Sequence, residues 1–297
     1  MRIEDIVNIT DADLINEGYI KDILAFSDEV NKVKREYLFI SNDIQEIKKA
    51  IQQGAYAILF SKDLEVIDNE IAWIKVDDIN EAFLKLLKYK LLTKTLYYTD
   101  ILTLEIISSI NYDKKLAIID KVKFEYLNDD YIYITAQEKV KNIAIEKKEL
   151  INKVNFDVVN STPFTIEFIY NNFKYNLEFT PLYIEELKKA LNFFKEMNLS
   201  FSLKDINLNR FKPQFINSRY EKVSFGKTEK VVIQGIKQDR YFIRELNFIF
   251  EKLSYANVKF YNNSNLSLFY QDNFNFAVLI ECEVELKEKQ IKEVQLF

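Results

Sequence analysis

Gly226-Lys227-Thr228 is the triplet in this 297-residue chain that most directly suggests chemistry, because Gly-Lys-Thr closes the loops that cradle phosphates. That pattern also needs a glycine five residues earlier, where Glu221 stands, and it must open a helix. Residues 230–234, KVVIQ, read instead as a strand, so the triplet is expected to be a turn between elements. Asp77-Asp78 and Asp129-Asp130 are of the right type to hold Mg²⁺. The first pair precedes a helical pattern and the second lies in a polar turn, so capping and turn formation account for both. Glu281, Glu283 and Glu285 recur at spacing two, which predicts one solvated face of a strand, with Val278, Ile280, Cys282 and Val284 or their neighbours on the other. Between Lys139 and Lys153, basic residues alternate with Glu138, Glu146 and Glu149, the pattern of an exposed mixed-charge surface.

Composition removes most other catalytic schemes. Histidine is absent, Cys282 is the single cysteine, and no two of the four glycines are closer than nine residues. Serine-His and cysteine-His nucleophiles, His-ligated zinc and the imidazole general base are excluded. Glycine-rich phosphate cradles are excluded as well. With 41 basic and 46 acidic residues the net charge is −5, which offers no general attraction for nucleic acid. One cysteine cannot form an internal disulfide, and the opening MRIEDIVNIT carries acids where a secretory leader needs a cationic and then an apolar stretch. The cytoplasm is the expected compartment, without membrane insertion, since no run approaches the ~20 apolar residues of a span. The 24 Phe and 18 Tyr are expected in the core and on half-buried strands.

The elements that must position any site follow from periodicity. Tyr37 to Ile40 reads as a strand. Asn42 or Asp43 then caps a helix bearing Ile44, Ile47, Ala50 and Ile51 and ending near Gly54. Residues 55–60 and 72–76 are further strands, and Asp77 or Asp78 caps a helix with Ile79, Ala82, Phe83, Leu86 and Leu87 on one face. This succession predicts an α/β layered fold. Phe164, Ile166, Phe168 and Tyr170 alternate into Asn171-Asn172, and Phe173, Tyr175, Leu177 and Phe179 alternate back, predicting a β-hairpin over 164–179. A helix over 182–198 follows. The strand at 230–234 precedes a helix bearing Phe242, Leu246, Ile249, Phe250 and Leu253, and strand-like segments occupy 257–261 and 274–286.

Two stretches resemble the Mur ligases, the ATP-dependent ligases of peptidoglycan precursor synthesis, and most nearly their MurF-like branch. VKREYLFISNDIQEIKKAIQQGAYAILF at 33–60, with AWIKVDDINEAFLKLL at 72–87, is similar to the N-terminal domain that binds the UDP end of the substrate. TPFTIEFIYNNFKYNLEFTPLYIEELKKALNFFKEMNLSFSLKDINLNRFKPQFINSRYEKV at 162–223 is similar to the segment closing the family's ATPase domain. Changes in pattern set boundaries near 91 and 226, and with them the resemblance implies an N-terminal α/β domain at 1–91, a truncated central domain at 92–225 and a small C-terminal α/β segment at 226–297.

At functional positions the chain departs from that family. The Asp-Ser-Arg that helps hold UDP falls on Glu29-Val30-Asn31, leaving Ser27, Lys32 and Lys34 as the nearby polar groups for substrate. Thr99 and Asp100 stand where the family has Gly and the phosphate-binding Lys, and a carboxylate there repels a γ-phosphate. The family's His-Asn pair falls on Leu182-Tyr183. Arg219 and Glu221 are retained in SRYE, Arg219 as a nucleotide contact or as a structural ion pair. The expected function is therefore a non-catalytic, Mur-ligase-like binding or interaction protein near peptidoglycan precursor synthesis, with no catalytic residue, metal or cofactor. Its expected partner is a UDP-N-acetylmuramoyl-peptide or a cell-wall synthesis protein. The alternatives are an active ligase using ATP and Mg²⁺, with a site built from Lys and Arg side chains, and a UDP-sugar-binding protein.

Overall fold

The computed structural model describes residues 1–288, which form two compact units. The first comprises Met1–Leu104, Asn111–Ile151 and Met197–Ser200; the second comprises Glu105–Ile110, Asn152–Glu196 and the chain from Phe201 onward. Both contain helices packed on sheets, as the predicted α/β class requires.

The first unit opens with α1 (Ile3–Thr10), β1 (Asp13–Asn16) and β2 (Ala25–Ser27), then runs through β3 (Tyr37–Ile40), α2 (Ile44–Gln52), β4 (Ala57–Phe60), β5 (Ala72–Lys75) and α3 (Ile79–Lys90). Its strands lie in the order β1-β5-β4-β3-β2, with β2 to β5 parallel and β1 antiparallel to β5. The inner strands are almost wholly apolar because both faces are covered. Leu38, Ile40, Leu59 and Ile74 enter a core with Phe83, Leu86 and Leu87 of α3, while Phe39, Ile58, Phe60 and Trp73 enter one with Ile47 and Ala50 of α2. Asp43 and Asp78 accept from the Gln45 and Glu81 amides at 2.7 and 2.9 Å, so the expected caps form. Gly54 follows α2 at φ 97°, a conformation that disfavours any residue with a β-carbon.

A second sheet in this unit had no signature in the sequence pattern. β6 (Leu96–Tyr98), β7 (Leu116–Ile118), β8 (Ile132–Thr135) and β9 (Lys147–Glu149) form a wholly parallel sheet in the order β7-β8-β6-β9; α4 (Ile101–Ile110), whose residues from Glu105 are counted in the second unit, follows β6 in sequence, and α5 (Glu138–Ile143) follows β8. Leu96, Ala117 and Tyr133 share the core of α3. The edge of the first sheet is closed by a side chain. Asn128 accepts from Phe26 N at 2.7 Å and donates to Phe26 O at 2.9 Å, taking the place of a further strand beside β2.

The second unit contains β10 (Asp157–Ser161), β11 (Ile166–Tyr170), β12 (Phe173–Leu177), α6 (Ile184–Met197), β13 (Lys212–Phe215), β14 (Val231–Ile236), α7 (Phe242–Lys252), β15 (Val258–Tyr261) and β16 (Phe276–Ile280). β11 and β12 form the predicted hairpin. Asn171 and Asn172 both have positive φ, 50° and 65°, the pair of left-handed residues that a tight hairpin turn demands. The other sheet has the order β13-β14-β16-β15, with β13 antiparallel and the rest parallel.

Two expectations are corrected here. On α7 Ile249 and, at its end, Leu253 are fully buried as the stripe predicts, but so is Glu245, which is ion-paired to Arg210, while Phe250 is 57% exposed. Glu281, Glu283 and Glu285 are exposed as expected, but β16 ends at Ile280 and Glu281 turns to φ 52°, so they do not line a strand. No helix among the described residues is long and apolar enough to cross a membrane.

Replacing Asn128 with alanine leaves two partly buried backbone groups of Phe26 unpaired. The expected loss is about 1–3 kcal/mol, read as a lower urea midpoint for the transition that unfolds the first unit.

Candidate functional site

Open α/β sheets bind ligands beyond the C-terminal ends of their parallel strands, and an inner strand followed by a helix is the usual location for phosphate. β6 is such a strand, flanked by β8 and β9, and only Thr99 and Asp100 separate it from α4. This is the position where the resemblance places the family's phosphate loop. Here the Asp100 carboxylate caps the helix, accepting from Thr103 N at 2.9 Å and from Thr103 Oγ1 at 2.7 Å. Thr99 N donates to Thr135 O at 3.0 Å, and Thr99 Oγ1 is buried with no partner among the described residues. A helix N-terminus attracts an anion through its unpaired amides and its dipole. At α4 that anion is the protein's own side chain, and a two-residue connection is too short to enclose a phosphate group.

The predicted substrate-binding residues fall in separate places. Ser27, Lys32 and Lys34 belong to the first unit and Arg219 to the second. Ser27 ends β2 and is buried; its Oγ donates to Glu29 O at 3.0 Å and accepts from Glu29 N at 3.2 Å, so the hydroxyl is used within its own turn. Lys32 Nζ lies 2.8 Å from Glu29 Oε1 and 3.0 Å from Glu125 Oε1. These two carboxylates hold the ammonium charged far above the ordinary lysine range. Lys34 is exposed. Arg219 is exposed in a turn whose Arg219 and Glu221 amides both donate to Asn217 Oδ1, at 2.9 and 3.0 Å, and it makes no ion pair among the described residues.

Beside Lys32, the carboxylate oxygens of Asp28, Glu29 and Glu125 come within 4.8 Å of one another. They are of the type that can hold a cation, and the Lys32 ammonium already occupies two of them. Burial pushes the Asp28 carboxyl above its usual value, backbone hydrogen bonds oppose this, and Glu125 and Glu29 add to the rise. Three acids around one lysine make a negative surface, the opposite of what a pyrophosphate requires.

In the second unit a buried network was not foreseen. Arg210 Nε lies 2.5 Å from Glu245 Oε1 and its NH2 2.9 Å from Oε2, while NH1 and NH2 meet the Asp239 carboxylate at 2.7 and 2.8 Å. Lys237 O accepts a further bond at 3.2 Å, and the Tyr183 hydroxyl donates to Glu245. Desolvation raises the Glu245 carboxyl, and the bonds from Arg210 and Tyr183 counter it. All three guanidinium nitrogens are engaged by Glu245, Asp239 and Lys237 O, so the charge of Arg210 is met within the protein. Removing one partner from such a pair costs about 3–5 kcal/mol. The network ties the segment entering β13 to the turn after β14 and to α7. Gly235 permits the close approach: at φ 80°, a β-carbon there would lie 2.8 Å from Asn209 O. The available signal was an acid, Glu245, four residues from both Tyr241 and Ile249 on the buried stripe of α7.

The remaining motifs behave as their spacing predicts. Gly226-Lys227-Thr228 is a turn entering β14, with Thr228 Oγ1 donating to Ile216 O at 2.9 Å. Asp78 is a cap, and Asp130 pairs with Lys94 at 3.0 Å.

No family model matches the chain, and no curated protein does. Among solved structures, the chain is similar to UDP-N-acetylmuramoylalanyl-D-glutamyl-2,6-diaminopimelate–D-alanyl-D-alanyl ligase from Acinetobacter baumannii, at 10% identity and TM-score 0.47, over 94% of each chain. It is also similar to MurF ligase from Thermotoga maritima, at 11% identity and TM-score 0.43, over 88% of this chain and 95% of that one. A further crystal structure of MurF from Acinetobacter baumannii matches at 11% identity and TM-score 0.44, over 88% and 78% of the two chains.

Because the folded-state pKa of Asp28 is raised, its contribution is favourable below the ordinary Asp range and is lost as pH rises through the folded value. Asp28→Asn is therefore expected to gain stability relative to the wild type as pH increases from 4 toward 7, measured by thermal unfolding at each pH. A difference independent of pH contradicts the assignment.

Proposed function

We propose that this chain is a shortened Mur-ligase-like protein without ligase activity, acting in the cytoplasm as a binding or interaction protein linked to peptidoglycan precursor synthesis. Its partner in this reading is a UDP-N-acetylmuramoyl-peptide or a protein of cell-wall synthesis. The divisions 1–91, 92–225 and 226–297 are proposed as the counterparts of that family's three domains.

The resemblance of residues 33–87 and 162–223 supports the ancestry. The observation that carries the loss of activity is the Asp100 cap on α4. Ligation through an acyl phosphate needs a triphosphate, Mg²⁺ and a cation at the transferring group. At the junction where the resemblance places those functions, a carboxylate holds the helix amides and no lysine is present. Lys32 and Arg210, which lie in other parts of the chain, are bound by the protein's own carboxylates.

Calorimetric titration with UDP-N-acetylmuramoyl-tripeptide, followed by ATP and Mg²⁺, tests the reading. No heat from ATP and no phosphate release are expected in either order of addition. Heat from the muramoyl-peptide alone identifies it as the partner, and its absence directs the search to proteins. Hydrolysis of ATP in the presence of the muramoyl-peptide would falsify the non-catalytic reading.

A further inference from the structure

A cavity of about 630 Å³ in the second unit has no role in the reading above. Its rings are Phe164, Phe215, Phe225, Tyr255 and Phe276, and its one charged lining residue is Glu229. Four of the rings form a connected group: Phe215 and Phe225 are 4.6 Å apart between centroids, and Phe164 lies 6.1 Å from Phe215 and 6.0 Å from Phe276. Its volume falls in the range of small-molecule sites.

Three polar side-chain oxygens of the wall are engaged within the protein. Thr162 Oγ1 bonds Thr165 Oγ1 at 2.7 Å, Thr228 Oγ1 donates to Ile216 O, and Asn275 Oδ1 accepts from Asn257 N at 3.1 Å. Glu229 is exposed and makes no hydrogen bond or ion pair among the described residues. Its basic neighbours in sequence are directed elsewhere. The Lys230 ammonium lies 4.4 Å from the ring centroids of both Tyr220 and Phe274, and Lys227 lines a different cavity.

We infer that this cavity is a binding site for an organic ammonium ion, held by the aromatic rings around its alkyl groups and by the Glu229 carboxylate at its charge. Aromatic faces carry negative potential and attract alkylammonium groups, an attraction that strengthens as water is excluded. A neutral apolar ligand gains the ring contacts but leaves the carboxylate without a partner. An anion meets Glu229 with no basic side chain in the wall to offset it. The lining therefore selects by charge as well as by shape, and Lys230 between Tyr220 and Phe274 shows the same pairing of ammonium and rings within this unit.

The test uses choline and its uncharged isostere 3,3-dimethylbutan-1-ol, titrated into the full chain and followed by ligand-observed NMR. Choline is expected to bind at least about tenfold more tightly than the alcohol. Glu229→Gln is expected to weaken choline about three- to tenfold while leaving the alcohol unchanged. Tyr255→Leu, which keeps apolar area and removes a ring, is expected to weaken choline alone. Both side chains are exposed, and unchanged binding of the alcohol shows that each variant retains the cavity. Equal affinity for the two ligands, no binding of choline, or full choline affinity in Glu229→Gln overturns the inference.

Discussion

Asp100 determines what the junction between β6 and α4 can do. The helix begins two residues after an inner parallel strand, and its first amides need an acceptor once the chain folds. A carboxylate at the cap meets that need within the chain, through both the amide and the hydroxyl of Thr103. A sheet and helix arranged this way have the geometry for an anion, and the anion is supplied by the sequence. The same short connection that makes the cap possible leaves no backbone to wrap a second phosphate. One interaction thus both caps the helix and puts a carboxylate at its first amides.

The cations that could recognise an anionic substrate are treated in a similar way. Lys32 is shared between Glu29 and Glu125, and Arg210 between Glu245 and Asp239. Arg244 meets both oxygens of Glu186, at 2.6 and 3.1 Å. Of these only Arg210 is buried, where a charge is stable only when paired; Lys32 is exposed and Arg244 partly so, and each is neutralised by the carboxylates beside it. Exposed cations such as Lys34 and Arg219 remain, but a solvated charge gives little binding energy by itself. In the Glu229 cavity the one charged lining residue is an acid, and its charge preference is for a cation.

Much of this fold was legible in the sequence where a segment was long enough to show its period. Tyr37–Ile40, the caps at Asp43 and Asp78, and the hairpin turning at Asn171-Asn172 were each read from local rules that tertiary packing did not override. The sheet containing β6 was not read, because β6, β7 and β9 have three residues each and β9 reads only as Lys-Lys-Glu. Of the candidate site, the residue types at Thr99 and Asp100 were legible through the resemblance. Their role as a cap required the helix start to be known to the residue. Glu245 was missed because an acid on an apolar stripe makes sense only with its partners, and Arg210 and Tyr183 are 35 and 62 residues away.

The most direct test of the central claim is the amide ¹H–¹⁵N spectrum of Ile101, Leu102 and Thr103 during addition of millimolar MgATP. With the Asp100 carboxylate in place, these resonances are expected to stay where they are, and the Thr103 amide is expected to move in Asp100→Ala without nucleotide. A saturable shift of the three amides in the wild-type protein would mean that phosphate reaches the helix N-terminus and would contradict the account.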